Sequence, residues 1–140
     1  MNVVVDASVA IKWVVPFKSD EADSVLALRL LSRVRNGEIT LYQPTHWLAE
    51  IAGVIVRLSP ATVHDDISDL YEINFHIIES KALYVRACKL AQELNHHVFD
   101  TLYHAAALNV PNAVLITADE RYYDKARSLG KIVPLADSTP

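Results

Sequence analysis

Three consecutive valines, Val3 to Val5, constrain the fold of this chain more than any other feature of its sequence. A short run of β-branched residues is typical of a strand that is buried on both faces, as in the interior of a parallel sheet. The strand is followed directly by Asp6. In open parallel sheets ligands bind beyond the carboxyl ends of the strands, so Asp6 is a candidate functional residue. The alternative is that Asp6 only caps the following turn, because aspartate is a favoured capping residue.

The rest of the sequence alternates predicted strands with predicted helices. Further strands are predicted at residues 39–42, 75–78, 113–117 and 131–135. Helices are predicted at residues 19–36, from 45 to about 58, from 59 to about 72, from 80 to about 95, from 100 onward and at 119–129. This alternation is typical of βαβ units. We therefore expect a single domain over residues 1–140, an α/β fold with three α/β/α layers and a mostly parallel central sheet of about five strands.

Charge and cysteine content limit the class of protein. The net charge of −4 argues against a large nucleic-acid interface held by phosphate contacts alone. The single cysteine, Cys88, has no partner for an internal disulfide, and its helical pattern predicts a small buried side chain. The apolar stretches are too short to span a bilayer, and the N-terminus lacks the basic region of a secretory signal. We expect a cytoplasmic protein that does not enter a membrane.

Four acidic side chains occupy positions where chemistry is expected. Asp6 and Asp119 each follow a predicted buried strand, and Asp100 opens the helix that contains three consecutive alanines. Glu50 falls on the border of an apolar helical stripe. Each of the four has an ordinary alternative as a helix cap or a surface charge. They form a site only if the fold brings them together, which the spacing alone does not establish.

Four segments around these acids resemble, in order and spacing, the acidic motifs of PIN-domain ribonucleases. They are VVVDAS at 3–8, WLAEI at 47–51, FDTLY at 99–103 and LITADER at 115–121. The chain is most similar to the small VapC-type toxins of toxin–antitoxin pairs, over essentially its whole length. The resemblance implies a PIN-like fold in which the strands before Asp6 and Asp119 are neighbours, at the point where strand order reverses. Glu50 and Asp100 would converge from adjacent helices.

The resemblance also implies metal-dependent hydrolysis of RNA phosphodiester bonds. Clustered carboxylates repel one another, and Mg²⁺ or Mn²⁺ prefers such hard oxygen ligands. We expect Asp6 and Asp100 to be the primary metal ligands. Asp119 is expected to bind metal directly or through water. Glu50 is expected to belong to the metal site as well and to position or deprotonate the attacking water.

Supporting and substrate-binding positions are less well defined by the sequence. Ser8 and Thr117 are expected to hold the carboxylates in place through hydrogen bonds. Lys12 and Arg121 are able to meet RNA phosphates near the site, although solvated surface charge is the favoured alternative for each. The sequence identifies no substrate-binding residue beyond these, and it does not indicate which RNA is cut.

Partners are also implied by the resemblance. They are the RNA substrate, a cognate antitoxin protein whose tail docks on apolar helices and blocks the site, and a second copy of the chain in a homodimer. The predicted helix at 19–36 is compatible with a protein partner because its apolar residues cover a wide arc. The alternative is that this helix is sunk into its own domain. The arc consists of Val25, Leu26, Leu28, Leu30, Leu31 and Val34.

Three other functional interpretations remain open. An aspartyl-phosphate phosphatase normally has a second aspartate two residues after the first, where this chain has Ser8. A receiver-like phosphoacceptor would share the acidic pocket but gives no role to Glu50 and Asp100. A catalytically silent PIN-fold interaction protein is the third alternative, and the four intact acidic positions argue against it.

A zinc site is suggested by His96, His97 and His104. It is not favoured, because no cysteine partners them and no H-E-x-x-H pattern occurs.

Overall fold

A computed structural model describes residues 1–15 and 21–138. In these residues five strands form one sheet, and every pair of neighbouring strands is parallel. The strands are β1 (Asn2–Val5), β2 (Thr40–Pro44), β3 (Phe75–Ile78), β4 (Ala113–Thr117) and β5 (Ile132–Pro134). Their order across the sheet is β3-β2-β1-β4-β5. Helices cover both faces of the sheet, so the predicted three-layer α/β/α class is confirmed.

The helices follow the strands closely in the chain. They are α1 (Ala7–Ala10), α2 (Glu21–Arg35), α3 (Trp47–Leu58), α4 (Val63–Tyr71), α5 (Lys81–Leu94), α6 (Val98–Asn109) and α7 (Glu120–Ala126). Short 3₁₀ turns adjoin three of them, at Ile11–Trp13, Pro60–Thr62 and Arg127–Leu129, and another follows β5 at Leu135–Asp137. No helix in the described ranges is long and apolar enough to cross a membrane.

The central strand β1 is the most buried part of the sheet. Val3, Val4 and Val5 have no exposed surface, as expected for a strand with neighbours on both sides and helices on both faces. From β1 the chain builds β2 and β3 on one side and later β4 and β5 on the other. Strand order therefore reverses between β1 and β4, and the crevice beyond their carboxyl ends is the expected ligand site of such a sheet.

Helix α6 packs closely against the centre of the sheet. It contacts β1, β2 and β4, and Ala105, Ala106 and Ala107 are fully buried. Their small side chains allow the close approach that the sequence predicted. The position of α6 matters for the site because Asp100 lies in its first turn.

A buried glutamine completes the pairing of β1 with β2 near this crevice. The Val5 N–H donates to Gln43 Oε1 at 2.9 Å, and Gln43 Nε2 donates to the Val5 carbonyl at 2.9 Å. The backbone register of the two strands covers only Asn2–Thr40 and Val3–Leu41. The Gln43 side chain thus satisfies a buried backbone donor and acceptor that would otherwise each cost about 1–3 kcal/mol.

Several sequence-based boundaries differ from the structure. The strand predicted at residues 39–42 is β2 at Thr40–Pro44, so Pro44 is its last residue. The helix predicted from residue 59 begins as a 3₁₀ turn at Pro60–Thr62 before α4, and the helix predicted to residue 129 ends as α7 at Ala126 with a 3₁₀ turn after it. The predicted helix start at Ser19 lies outside the described residues. Ser80 caps α5 as expected, accepting from the Leu83 N–H at 3.1 Å.

Two side chains lie where the sequence did not predict them. Cys88 is exposed on α5, so the prediction of a buried hydrophobic role was wrong. It falls between the buried positions Ala87 and Leu90, on the outward side of the helix. Lys12 is buried at 8% exposure in the 3₁₀ turn after α1, which contradicts its interpretation as a solvated surface charge.

The wide apolar arc of α2 divides between the core and the surface. Its core-facing side is buried, whereas Val25 and Leu28 are 45% and 49% exposed. The helix is therefore only partly sunk into its own domain.

Candidate active site

Asp6 stands at the carboxyl end of β1 and is 9% exposed. Its carbonyl oxygen accepts the N–H groups of Val9 and Ala10 at 3.2 and 3.1 Å, which starts helix α1. The carboxylate makes no capping hydrogen bond to that helix. It accepts instead from the hydroxyls of Ser8 and Thr117. The capping alternative for Asp6 therefore does not describe its side chain, which is held toward the crevice.

Ser8 and Thr117 join the start of α1 to the end of β4. Besides its bond to Asp6, the Ser8 hydroxyl accepts from the Ala118 N–H at 2.9 Å. The Thr117 hydroxyl donates to Asp6 and accepts from the Asp119 N–H at 3.0 Å. Both side chains thus lie where the sequence predicted, and both fix the orientation of the Asp6 carboxylate.

Glu50 lies on α3 and reaches the same crevice. Its side chain is 28% exposed, and its Oε2 atom is buried and without a hydrogen-bond partner among the described residues. The Nε2 atom of His46, one turn earlier, is 3.4 Å from Oε2. That nitrogen is already bonded to the Phe99 carbonyl at 2.8 Å, so it carries the proton and donates there. Glu50 therefore presents a buried oxygen that is available to another ligand.

Asp100 enters from the first turn of α6, with a side chain that is 35% exposed. Its Oδ2 atom is 2.7 Å from Nε2 of His96, four residues earlier. The other ring nitrogen of His96 is 3.3 Å from Lys125 Nζ. Because a lysine ammonium only donates, it supplies the proton of that bond, and His96 in turn donates to Asp100. His96 was considered only as a metal ligand from the sequence, and its contact with Asp100 was missed.

Burial and the charges of neighbouring acids raise the pKa values of Asp6 and Glu50. The pKa of Asp6 is raised to about 6, mainly by burial and also by the charge of Asp100, against the opposing hydrogen bonds from Ser8 and Thr117. Burial also raises the pKa of Glu50 to about 7, with added repulsion from Asp100 and Asp6. Three carboxylates from β1, α3 and α6 thus share one partly buried space at the point where strand order reverses.

Tyr103 lines this space one turn after Asp100. Its hydroxyl is buried without a good hydrogen bond to any described residue, although it lies near enough to lower the pKa of Glu50 slightly. Burial and the charges of Glu50, Asp6 and Asp100 raise the pKa of Tyr103 far above its ordinary value. The hydroxyl is therefore a neutral donor beside the carboxylates. The spacing of Asp100 and Tyr103 in the sequence places them on one face of a helix, but it does not indicate that this face points into the crevice.

Asp119 lies differently from the other three acids. Its Oδ1 atom accepts from the Tyr122 N–H at 3.0 Å and caps α7. It also lines a separate cavity of about 270 Å³ together with Glu120, Asp124 and Asp23. It is not among the charges that raise the pKa of Asp6 or Glu50. The structure thus brings Asp6, Glu50 and Asp100 together, and it gives Asp119 the capping role that was its alternative.

The chemistry of the three acids fits a hard divalent cation. When all three are ionised they repel one another, and the unpaired oxygen of Glu50 is available as a metal ligand. Within residues 1–15 and 21–138, no three His, Cys, Asp or Glu side chains are already gathered as a metal-binding group. Side-chain movement toward a cation is therefore needed for Asp6, Glu50 and Asp100 to act as common ligands.

His104 has a role inside the fold. Its Nε2 donates to the Gly130 carbonyl at 2.9 Å, so its Nδ1 accepts from the Tyr122 hydroxyl at 3.0 Å. Burial lowers the pKa of His104, which favours this neutral form. Both nitrogens are thus used to join α6 to α7 and to the turn that follows it.

Comparison with known proteins gives a family match and structural neighbours. A sequence model of the family described as "PIN domain" matches residues 3–128. No curated protein sequence matches the chain. The structure is similar to VapBC-1 from nontypeable Haemophilus influenzae, with a TM-score of 0.67 at 17% identity over 98% of this chain and 100% of that chain. It is also similar to VapBC2 from Rickettsia felis, which was solved bound to a DNA fragment from its promoter. That match has a TM-score of 0.63 at 16% identity and covers 96% and 97% of the two chains.

Proposed function

The chain belongs to the PIN-domain family, and from this premise we propose that it is a metal-dependent endoribonuclease that hydrolyses RNA phosphodiester bonds. PIN domains are generally nucleases. The observation that carries the proposal is the burial of Asp6 and Glu50 in one crevice with Asp100, where burial first and repulsion between the acids second disfavour their charged forms. Such repulsion is unfavourable for folding, and a divalent cation relieves it. A receiver-like phosphoacceptor has no use for the Glu50 and Asp100 charges beside Asp6.

The proposed cofactor is Mg²⁺ or Mn²⁺, held by Asp6 and Asp100 as the primary ligands. Asp119 would complete the set, directly or through water, once released from its bond to Tyr122. When bound, the metal supplies positive charge at the scissile phosphate and lowers the pKa of a bound water. Ser8 and Thr117 keep the Asp6 oxygens aimed at the crevice, and the same hydrogen bonds stabilise the charged form of that carboxylate.

Glu50 is the proposed general base. Burial raises the pKa of Glu50 in the metal-free chain, so this carboxylate holds a proton more readily than an exposed glutamate does. Its unpaired oxygen is free to orient the attacking water and take its proton. The water oxygen then bonds to phosphorus, the bond to the 3′ oxygen breaks, and that oxygen leaves with a proton from solvent. The products are a 5′-phosphate and a 3′-hydroxyl.

We further propose that the chain is the toxin of a toxin–antitoxin pair, acting in the cytoplasm. Support comes from the fold shared with the VapBC-1 and VapBC2 structures and from the motif resemblance over the whole chain. A small antitoxin and a second copy of the chain are the proposed protein partners. The exposed Val25 and Leu28 on α2 suit either one. A short neighbouring reading frame that encodes a DNA-binding antitoxin would support this assignment.

The purified chain is expected to cleave single-stranded RNA in Mg²⁺ or Mn²⁺ and to stop cleaving in excess EDTA. The measurement is a gel assay with end-labelled RNA, followed by analysis of the new ends. Attack by water leaves a 5′-phosphate, whereas contaminating ribonucleases that use the 2′-hydroxyl leave a cyclic phosphate. Cleavage that persists in EDTA and produces 5′-phosphate ends would reject the metal mechanism.

A further inference from the structure

A basic cavity lies next to the acidic crevice. Its volume is about 300 Å³, and it is lined by Asn95, His96, His97, Arg121 and Lys125. None of its lining residues is acidic, although the chain as a whole carries a net charge of −4. Liquid water takes about 30 Å³ per molecule, so the cavity has room for a phosphate group together with several waters.

Helix α7 separates positive from negative charge. Arg121 and Lys125 are four residues apart and face this cavity, while Glu120 and Asp124, also four apart, face the cavity beside Asp119. Residues at this spacing share one side of a helix. The segregation leaves one side of α7 suited to an anion.

The two cationic side chains are not neutralised by carboxylates within the described ranges. Arg121 is exposed and makes no ion pair there. The Lys125 ammonium contacts only uncharged acceptors, the Asn95 carbonyl and His96 Nδ1, each at 3.3 Å. Both charges therefore remain available to an anionic ligand.

A single imidazole ring connects the basic cavity to the acidic crevice. His96 lines the cavity and contacts Lys125 through Nδ1, while its Nε2 contacts Asp100. The cavity therefore adjoins Asp100, and a phosphate next to a scissile phosphate at Asp100 would be within reach of it. The negative crevice repels RNA in the absence of metal, so binding needs a positive site close by.

We propose that Arg121 and Lys125 form a phosphate-binding subsite that holds an adjoining phosphate of the RNA strand and positions the strand for cleavage. This inference rests on the proposed ribonuclease function. The Arg121 guanidinium is able to donate bidentate hydrogen bonds to phosphate oxygens. The Lys125 ammonium adds a point charge that is held in place by His96 and the Asn95 carbonyl. The exposed His97 adds a further polar group at the edge.

The test measures binding separately from cleavage. The intact chain is titrated with a fluorescent single-stranded oligoribonucleotide in EDTA, and anisotropy is followed over a range of KCl concentrations. The Arg121→Gln, Lys125→Gln double variant is expected to bind about tenfold more weakly at moderate salt, and its plot of log affinity against log salt should be shallower by about 1.4. The Arg57→Gln, Lys81→Gln variant, which removes two charges from other exposed sites, should bind within about twofold of wild type.

Four further outcomes test the inference and keep it separable from the proposed function. Arg121→Gln alone should give about half the change in salt dependence. Because Arg121 is exposed, a weaker binding of this variant would not be explained by misfolding. If the double variant binds RNA like wild type, the subsite is refuted even where Mg²⁺-dependent cleavage persists, and an acidic protein segment becomes the better occupant. Equal losses in both double variants also refute it. If the predicted loss of binding occurs in a chain that never cleaves RNA, the nuclease function fails and the subsite stands.

Discussion

Asp6→Asn and Asp100→Asn should each lower the rate of RNA cleavage by about 100-fold or more, equivalent to ~3 kcal/mol of transition-state stabilisation. Each substitution keeps the size of the side chain and removes one negative charge from the crevice. Asp6 is buried between Ser8 and Thr117, whose hydroxyls are able to rotate and satisfy an amide. The loss is therefore expected in activity and not in folding. Cleavage rates and circular dichroism spectra, measured on the same preparations, check both parts.

The matched control for these variants is Asp65→Asn. Asp65 is exposed on α4, outside the crevice, so this change removes the same charge from the protein surface. It should leave the cleavage rate unchanged. Full activity in either Asp6→Asn or Asp100→Asn would remove the basis for the proposed metal site.

In EDTA the free energy of unfolding should fall as pH rises through the acids of the crevice. The pKa of Asp6 is raised from 3.8 to about 6, and that of Glu50 from 4.5 to about 7. Both acids therefore bind protons more readily in the folded than in the unfolded chain. Their contribution to stability is fully present below about pH 4 and is lost as pH rises to about 7. We expect a loss on the order of 3 kcal/mol for the pair, since part of the same mutual repulsion raises both pKa values.

Urea unfolding between pH 5 and pH 8 measures this dependence. Glu50→Gln should be more stable than wild type at pH 8 and should show a weaker pH dependence. The control Glu93→Gln removes an exposed acid on α5 and should follow the wild-type curve. Adding Mg²⁺ should stabilise wild type, because a ligand that binds the folded state raises its stability. The gain should be smaller in Glu50→Gln, which has one negative charge fewer in the crevice. Lower stability of Glu50→Gln at pH 8 would indicate that Glu50 is not repelled by its neighbours.

Patterns of buried and polar residues were sufficient for most of the architecture. The valine run gave β1 and the apolar stretch before Asp119 gave β4, because a buried strand in a parallel sheet is apolar throughout. Boundaries were less accurate at Pro44 and at Pro60, where β2 ends and a 3₁₀ turn begins. Such ends depend on neighbouring strands and turns as well as on local sequence.

The candidate site required information that periodicity does not contain. The positions of Glu50 and Asp100 beside Asp6 follow from the order of strands across the sheet, which the family resemblance supplied. The capping bond of Asp119 and the contact of His96 with Asp100 depend on side-chain orientation within a single turn. Spacing of four residues made the second contact possible, but the same spacing occurs between many residues that never touch.

Burial of polar side chains was the least predictable property. Lys12 is buried although a solvated surface charge was its favoured interpretation, and Gln43 is buried because it replaces backbone pairing between β1 and β2. Both positions are determined by what packs over them. Only the three-dimensional arrangement of the layers supplies that information.

Binding of Mn²⁺ to the intact chain is the most direct test of the central claim that Asp6 and Asp100 are the primary ligands of a divalent cation in the crevice. Electron paramagnetic resonance of free Mn²⁺ during titration gives the number and affinity of sites without requiring a known RNA. We predict saturable binding to wild type and to Asp65→Asn, displacement by excess Mg²⁺, and loss of binding in Asp6→Asn and Asp100→Asn. Equal Mn²⁺ binding by wild type and both crevice variants would contradict the claim.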